Sequence, residues 1–197
     1  MSKLLIKLFI KDPDNVKNNA VRTAYGNLGS FVGIICNLLL CALKIAIGTI
    51  TGSISITADG LNNLSDMGSS VITMVGFKLS SKPADSDHPF GHGRMEYMSA
   101  FIVAVLILLV GFELFKSSVS ALVTNAAPPT YSIWALVILC VSILVKFWMY
   151  LFNRKLGKKI DSEPLLATAQ DSLNDVITTT VILISAAVSS YIELPFN

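Results

Sequence analysis

Five long apolar stretches constrain this chain more than any other feature. Each is close to the roughly 20 residues that a helix needs to cross the hydrocarbon core of a bilayer. Charged residues make up only 14% of the 197 residues, against roughly 25% in soluble domains. The sequence therefore predicts an all-α fold, a polytopic membrane helix bundle with five spans. The predicted spans cover, approximately, residues 28–50, 53–79, 97–119, 133–152 and 165–191.

The basic residues give this arrangement a direction. Twelve of the 15 fall on one side of a five-span topology, whereas the connections at residues 49–53 and 120–132 on the other side carry no charge. The positive-inside rule then predicts a cytoplasmic N-terminus. Residues 1–25 are predicted to be a cytoplasmic amphipathic segment on the membrane surface, and residues 26–197 the transmembrane domain. A net charge of +2 is too small to indicate a nucleic-acid partner.

Acidic residues inside the spans point to a cation. An acid at the bilayer centre costs roughly 2.5–3.5 kcal/mol, yet Asp59, Asp66, Asp171 and Asp175 all lie in predicted spans. Asn62 and Asp66 are four residues apart, as are Asp171 and Asp175, so each pair shares one helix face. If the second and fifth spans pack face to face, four oxygen-bearing side chains converge on a site for a divalent ion. Protons and metal would compete for the carboxylates, which is what proton-for-metal exchange requires.

Other interpretations of these acids stay open. Paired with Lys44 and Lys146, they would only hold the bundle together, and Glu113 is expected to pair with Lys116, three residues on. An intramembrane, magnesium-dependent prenyltransferase also uses N-x-x-x-D and D-x-x-x-D patterns. Such an enzyme needs Arg or Lys to meet the diphosphate, and none lies near the two motifs. A metal sensor that transports nothing is a further alternative.

The connection at residues 82–94 holds both histidines of the chain. Asp85, His88 and His92 fall within eight residues of one another, and a carboxylate with two imidazoles can bind a transition metal. The alternative is a solvated polar loop whose histidines bind nothing. Spacing alone favours neither.

Three stretches together resemble the cation diffusion facilitator family: Ala58–Asp66, Pro83–Glu96 and Ala169–Asp175. The resemblance runs from about Arg22 to the end of the chain, and its middle stretch is the most specific. It implies six membrane helices, cytoplasmic termini, a homodimer and a cytoplasmic C-terminal domain. The sequence lacks the sixth helix and that domain, so we expect it to be the transmembrane part of a longer protein.

The resemblance also assigns the site residues. The family's transport site falls on Asn62, Asp66, Asp171 and Asp175, and its second metal site falls on Asp85, His88 and His92. Asp59, three residues before Asn62 on the same helix face, is predicted to be a pathway residue. Histidine-free transport sites are associated with manganese in this family, and oxygen ligands suit Mn²⁺ whereas imidazole favours zinc.

The function implied is Mn²⁺/H⁺ antiport by alternating access, in a bacterial cell membrane. Metal ion and protons are then substrates. No enzyme activity and no cofactor are expected. Zinc, iron, cobalt and cadmium are the alternative metals.

Overall fold

The computed structural model describes residues 2–51, 54–124 and 133–191. Within these ranges the regular structure is helical throughout, without a strand. The prediction of an all-α membrane bundle is therefore confirmed. The described helices are α1 (Ser2–Phe9), α2 (Asn19–Thr51), α3 (Ile54–Ser80), α4 (Met95–Val123), α5 (Ile133–Ile160) and α6 (Glu163–Tyr191).

The five long helices correspond to the five predicted spans, with longer ends. α2 begins at Asn19 and α5 runs to Ile160, because charged residues extend both helices beyond their apolar parts. The second predicted span begins at Ser53, which lies outside the described residues. By length and hydropathy, three helical segments qualify as membrane spans: Asn19–Ile50, Met95–Ser117 and Leu136–Ile160. α3 and α6 carry the polar stripes and fall short, so the count of five spans stays a prediction.

The aliphatic and aromatic core lies at the end of the bundle where α2 begins. Tyr25, Phe77, Phe152 and Leu165 are fully or almost fully buried there. Ile6 of α1 and Ile10, just after it, belong to the same cluster, whereas their neighbours Leu8 and Phe9 are exposed. The predicted segment 1–25 is thus divided. A short amphipathic helix packs on the bundle, and the residues from Asn19 onward already belong to α2.

Small residues bring the helices into close contact. α2 packs most extensively on α3, and α5 on α6. At Gly26 an added Cβ would overlap the ring of Phe77, and at Gly76 it would overlap the side chain of Ser99. Glycine at these two positions therefore lets α3 approach α2 on one side and α4 on the other. The outer face of α4 presents large apolar side chains such as Phe101 and Leu108, as a lipid-facing helix does.

Candidate metal centre

A buried lysine joins two of the acids that the sequence predicts as metal ligands. Lys146 on α5 is 3% exposed. Its Nζ donates hydrogen bonds to Oδ2 of Asp66 at 2.6 Å and to Oδ2 of Asp175 at 2.5 Å. The polar stripes of α3 and α6 therefore meet, as the metal-site interpretation requires. The lysine pairing of the alternative interpretation is present in the same structure.

Two adjoining cavities hold the other predicted ligands. Asp171 and Asp66 line a cavity of about 260 Å³ against α4. Asn62 and Asp175 line a larger one of about 550 Å³, and Ser65 borders both. All four predicted ligands thus line one or the other of two neighbouring cavities. Unlike Asp66 and Asp175, Asp171 makes no ion pair with any residue that the structure describes.

The larger cavity lies towards the end of the bundle away from α1. Asp59 and Glu113 contribute carboxylates to its wall, from the first half of α3 and the last third of α4. Asp59 is paired with Lys44 at 2.9 Å. Glu113 and Lys116 are both exposed and form no ion pair with each other in the described structure, so the expected pairing is not observed. The acid predicted to lie on the ion pathway, Asp59, borders the same space as Asn62 and Asp175.

The loop between α3 and α4 brings its three predicted ligands together. One potential donor atom from each of Asp85, His88 and His92 lies within 4.8 Å of the others. Nδ1 of His88 lies 3.2 Å from Asp85, and Nε2 of His92 lies 3.5 Å from it. Gly91 supplies the left-handed turn, with φ of 77°, that folds the loop back. Donor atoms of a carboxylate and two imidazoles at these separations are compatible with binding of a transition metal.

Hydrogen bonds orient the side chains of this loop. The backbone N–H of His88 donates to Oδ1 of Asp85 at 2.7 Å. This bond, with the neighbouring imidazoles, holds the pKa of Asp85 below its usual value. Nδ1 of His92 lies 3.2 Å from the carbonyl oxygen of Pro83. If Nδ1 carries the proton in that contact, the lone pair of Nε2 is left for a metal.

An arginine joins several helices at the end of the bundle next to α1. Arg22 on α2 donates to both carboxylate oxygens of Glu96 on α4, and also to the carbonyl oxygens of Ile160 at the end of α5 and Asp161 just after it. Three elements are thereby tied at one point. No local sequence pattern indicates that Arg22 pairs with Glu96, which is buried in the first turn of α4.

Together, the fold and this centre define a helical membrane protein with acidic side chains buried between its helices, a feature typical of proteins that carry ions across membranes. The sequence then identifies the family. The profile of the cation efflux transmembrane domain matches residues 30–196. The chain belongs to this family of cation transporters, which is the family that its three motifs resemble.

Individual relatives agree with this assignment. The chain is 35% identical to the manganese efflux system protein MneS of Bacillus subtilis over 152 residues, which are 76% of this chain and 51% of MneS. It is 32% identical to the manganese efflux system protein MneP of the same organism, over 75% of this chain and 49% of MneP. It is 33% identical to the magnetosome protein MamB of Paramagnetospirillum magneticum, over 84% of this chain and 54% of MamB. The chain spans about half the length of these relatives.

Proposed function

We propose that this chain is the membrane part of a divalent-cation exporter that exchanges Mn²⁺ for protons by alternating access. One observation carries the proposal: Asp66 of α3 and Asp175 of α6 meet at a single buried cation, the ammonium of Lys146. Asn62 and Asp171 border the cavities on either side. A site of three carboxylates and one amide oxygen, buried between helices, favours a divalent cation.

Manganese is the metal that the ligand set favours. Oxygen ligands suit Mn²⁺, whereas imidazole and thiolate shift preference to zinc. No histidine or cysteine lines either of the two cavities around the predicted ligands. The names of MneS and MneP describe manganese efflux for those proteins, and this supports the same substrate here.

The asymmetry of the bundle supports alternating access. The larger cavity lies towards the end of the bundle away from α1 and reaches Asn62 and Asp175. The other end holds the Arg22–Glu96 ion pair and the apolar cluster around Phe77, and the cavity of about 330 Å³ that these residues line there includes none of the four predicted ligands. With a cytoplasmic N-terminus, this arrangement corresponds to an outward-facing state. Opening towards the cytoplasm would require the Arg22–Glu96 contact to break.

Protons are the expected counter-substrate. A carboxylate binds either a proton or a metal ion, so metal uptake releases protons and proton uptake releases metal. Asp66, Asp171 and Asp175 would supply this exchange. The loop cluster of Asp85, His88 and His92 is proposed as a second metal site, on the cytoplasmic side. We further propose that the full-length protein is a homodimer in a bacterial cell membrane.

Calorimetric titration of the purified chain with Mn²⁺ tests the site. Asp66→Ala and Asp175→Ala should each abolish binding at the intramembrane centre, in a background where His88 and His92 are replaced by Ala to silence the loop. Glu163→Ala is the matched control, because Glu163 is an exposed acid in the first turn of α6. Undiminished Mn²⁺ binding by both Asp variants would refute the assignment.

In proteoliposomes, Mn²⁺-dependent proton flux would support antiport. Metal binding without proton flux would support the alternative of a metal sensor that transports nothing.

A further inference from the structure

Lys146 is a buried charge that the transport cycle proposed above leaves unexplained. Its side chain is 4% exposed, and its ammonium contacts one oxygen of Asp66 and one of Asp175. Both acids are proposed metal ligands. The lysine comes from α5, a helix that supplies none of the four ligands.

The ammonium stands where a metal ion would stand. Oxygen ligands lie about 2.0–2.6 Å from hard divalent cations, and Nζ lies 2.6 Å and 2.5 Å from its two oxygens. An ion bridging the same two oxygens would need nearly the same position. Two cations cannot share that place, since at such separation they repel strongly in a weakly screened interior.

A second acceptor lies on the same helix face. Ser142 is four residues before Lys146, and its Oγ is buried without a hydrogen-bond partner in the described structure. Residues four apart lie one above the other on a helix, and a lysine side chain leans towards the preceding turn. The ammonium can therefore withdraw towards Ser142 while it stays out of the apolar surroundings.

We propose that Lys146 is a tethered cation that fills the position between Asp66 and Asp175 when no metal is bound and withdraws when metal enters. It is a positioning residue, and this role rests on the proposed function. The lysine keeps the empty site from holding uncompensated buried charge. Because it competes with the metal for the same oxygens, it also weakens binding, so that the ion can leave again.

Lys44 provides a matched control for the loss of a buried positive charge. It is as buried as Lys146 and forms an ion pair of 2.9 Å, but its partner is Asp59, which is not one of the four ligands. Lys44→Met therefore removes a buried ammonium without vacating the metal position. The difference in Mn²⁺ affinity between Lys146→Met and Lys44→Met therefore measures the effect of vacating the metal position, separately from the loss of a buried positive charge.

The test is calorimetric titration with Mn²⁺ of the unsubstituted chain, Lys146→Met, Lys146→Arg and Lys44→Met, all in the background without the loop histidines. Lys146→Met should bind Mn²⁺ roughly tenfold more tightly, within the range usual for two ligands that oppose each other, and by a clearly larger factor than Lys44→Met. Lys146→Arg keeps the charge, and its planar fork holds two carboxylates more firmly than an ammonium does. It should therefore bind Mn²⁺ more weakly than the unsubstituted chain, and circular dichroism would show that it is folded.

The outcomes separate this inference from the proposed function. Mn²⁺ binding that is unchanged or weaker in Lys146→Met would make the lysine a structural partner and overturn the inference, while the transport site stands. If Lys146→Met does not fold, the result for Lys146→Arg decides. A Mn²⁺ affinity of Lys146→Arg equal to that of the unsubstituted chain would also overturn the inference. Mn²⁺ binding that survives Asp66→Ala and Asp175→Ala would instead remove the proposed site, and the inference with it.

Discussion

Arg22 and Glu96 lie 2.8 Å apart in a salt bridge at one end of the bundle, although 74 positions separate them in the chain. Glu96 is 7% exposed, so removal of the arginine would leave a buried carboxylate without its partner. The same guanidinium also reaches the two carbonyl groups that follow α5. The contact therefore ties α2, α4 and the turn into α6 together.

Arg22→Met should lower the free energy of unfolding by about 1.5–3 kcal/mol, the usual cost of losing a hydrogen bond with a charged group. Thermal unfolding in detergent, followed by circular dichroism, would measure the change. The double variant Arg22→Met with Glu96→Met should regain part of the loss, because no unpaired charge then stays buried. A midpoint for Arg22→Met equal to that of the unsubstituted chain would show that the contact contributes nothing.

Asp171→Asn and Asp66→Asn should differ in stability although both remove a proposed ligand. Asp66 is paired with Lys146, so its substitution should cost about 1.5–3 kcal/mol. Asp171 has no ion pair in the described structure, and its substitution should leave the midpoint of unfolding nearly unchanged. Both variants should lose Mn²⁺ affinity in calorimetric titration. Equal destabilisation by the two would argue against the observed asymmetry between the acids.

Asn62→His should shift the preference of the site towards Zn²⁺. Asn62 borders the cavity that Asp175 also lines, and an imidazole there would replace an amide oxygen with a softer nitrogen ligand. Competition between Mn²⁺ and Zn²⁺ for the purified variant would report the change. Asn63→His is not a suitable comparison because Asn63 is 1% exposed and packed away from the cavity. An unaltered ratio of the two affinities in Asn62→His would count against the selectivity argument.

Gly76→Ala should destabilise the bundle by about 1–3 kcal/mol, because the added methyl group would overlap Ser99 where α3 contacts α4. Gly111→Ala is the control on α4, since nothing lies within 4 Å of its added Cβ. That substitution should be neutral or stabilising by about 0.5–1 kcal/mol, as for an unhindered helical glycine. Equal unfolding midpoints for the two variants would contradict this account of the packing between α3 and α4.

Acid should weaken the contacts that Asp85 makes within the loop at residues 82–94. The N–H of His88 and the nearby imidazoles hold the pKa of Asp85 below its ordinary value of 3.8. Because the folded-state pKa is the lower one, the stabilisation from Asp85 is present above pH 3.8 and is lost as the pH falls through the lowered pKa. Carboxyl NMR should show a midpoint for Asp85 below 3.8. A midpoint at or above that value would contradict the observed hydrogen bonding.

Much of this arrangement follows from spacing along the sequence. Helical periodicity was enough to predict that Asp66 shares a helix face with Asn62, and Asp175 with Asp171, because residues four apart lie on one face. The meeting of the two faces was a condition of the metal-site hypothesis, and the structure shows Asp66 and Asp175 meeting at Lys146. Hydropathy was enough to predict the helices. The polar stripes of α3 and α6, however, lower the mean hydropathy of these two helices below that of a typical membrane span.

Contacts between distant residues were not predictable in the same way. Lys146 was considered only as a structural partner, since a lone lysine in an apolar stretch does not indicate which acids it will meet. The pairing of Arg22 with Glu96 depends on how α2 and α4 dock, and no local pattern records that docking. The expected pairing of Glu113 with Lys116 has the right spacing but is not seen, because both side chains are exposed and Glu113 borders the cavity instead.

The acid-walled cavity beside Asp59 and Glu113 is much larger than a single ion requires. Its volume of about 550 Å³ falls within the roughly 300–1,000 Å³ of pockets that accommodate drug-sized molecules. An amphiphilic amine could place its charged group against these carboxylates and its apolar body against Leu139 and Ile182. Under the alternating-access mechanism proposed above, a compound held there would oppose the closing of this cavity without chelating a metal.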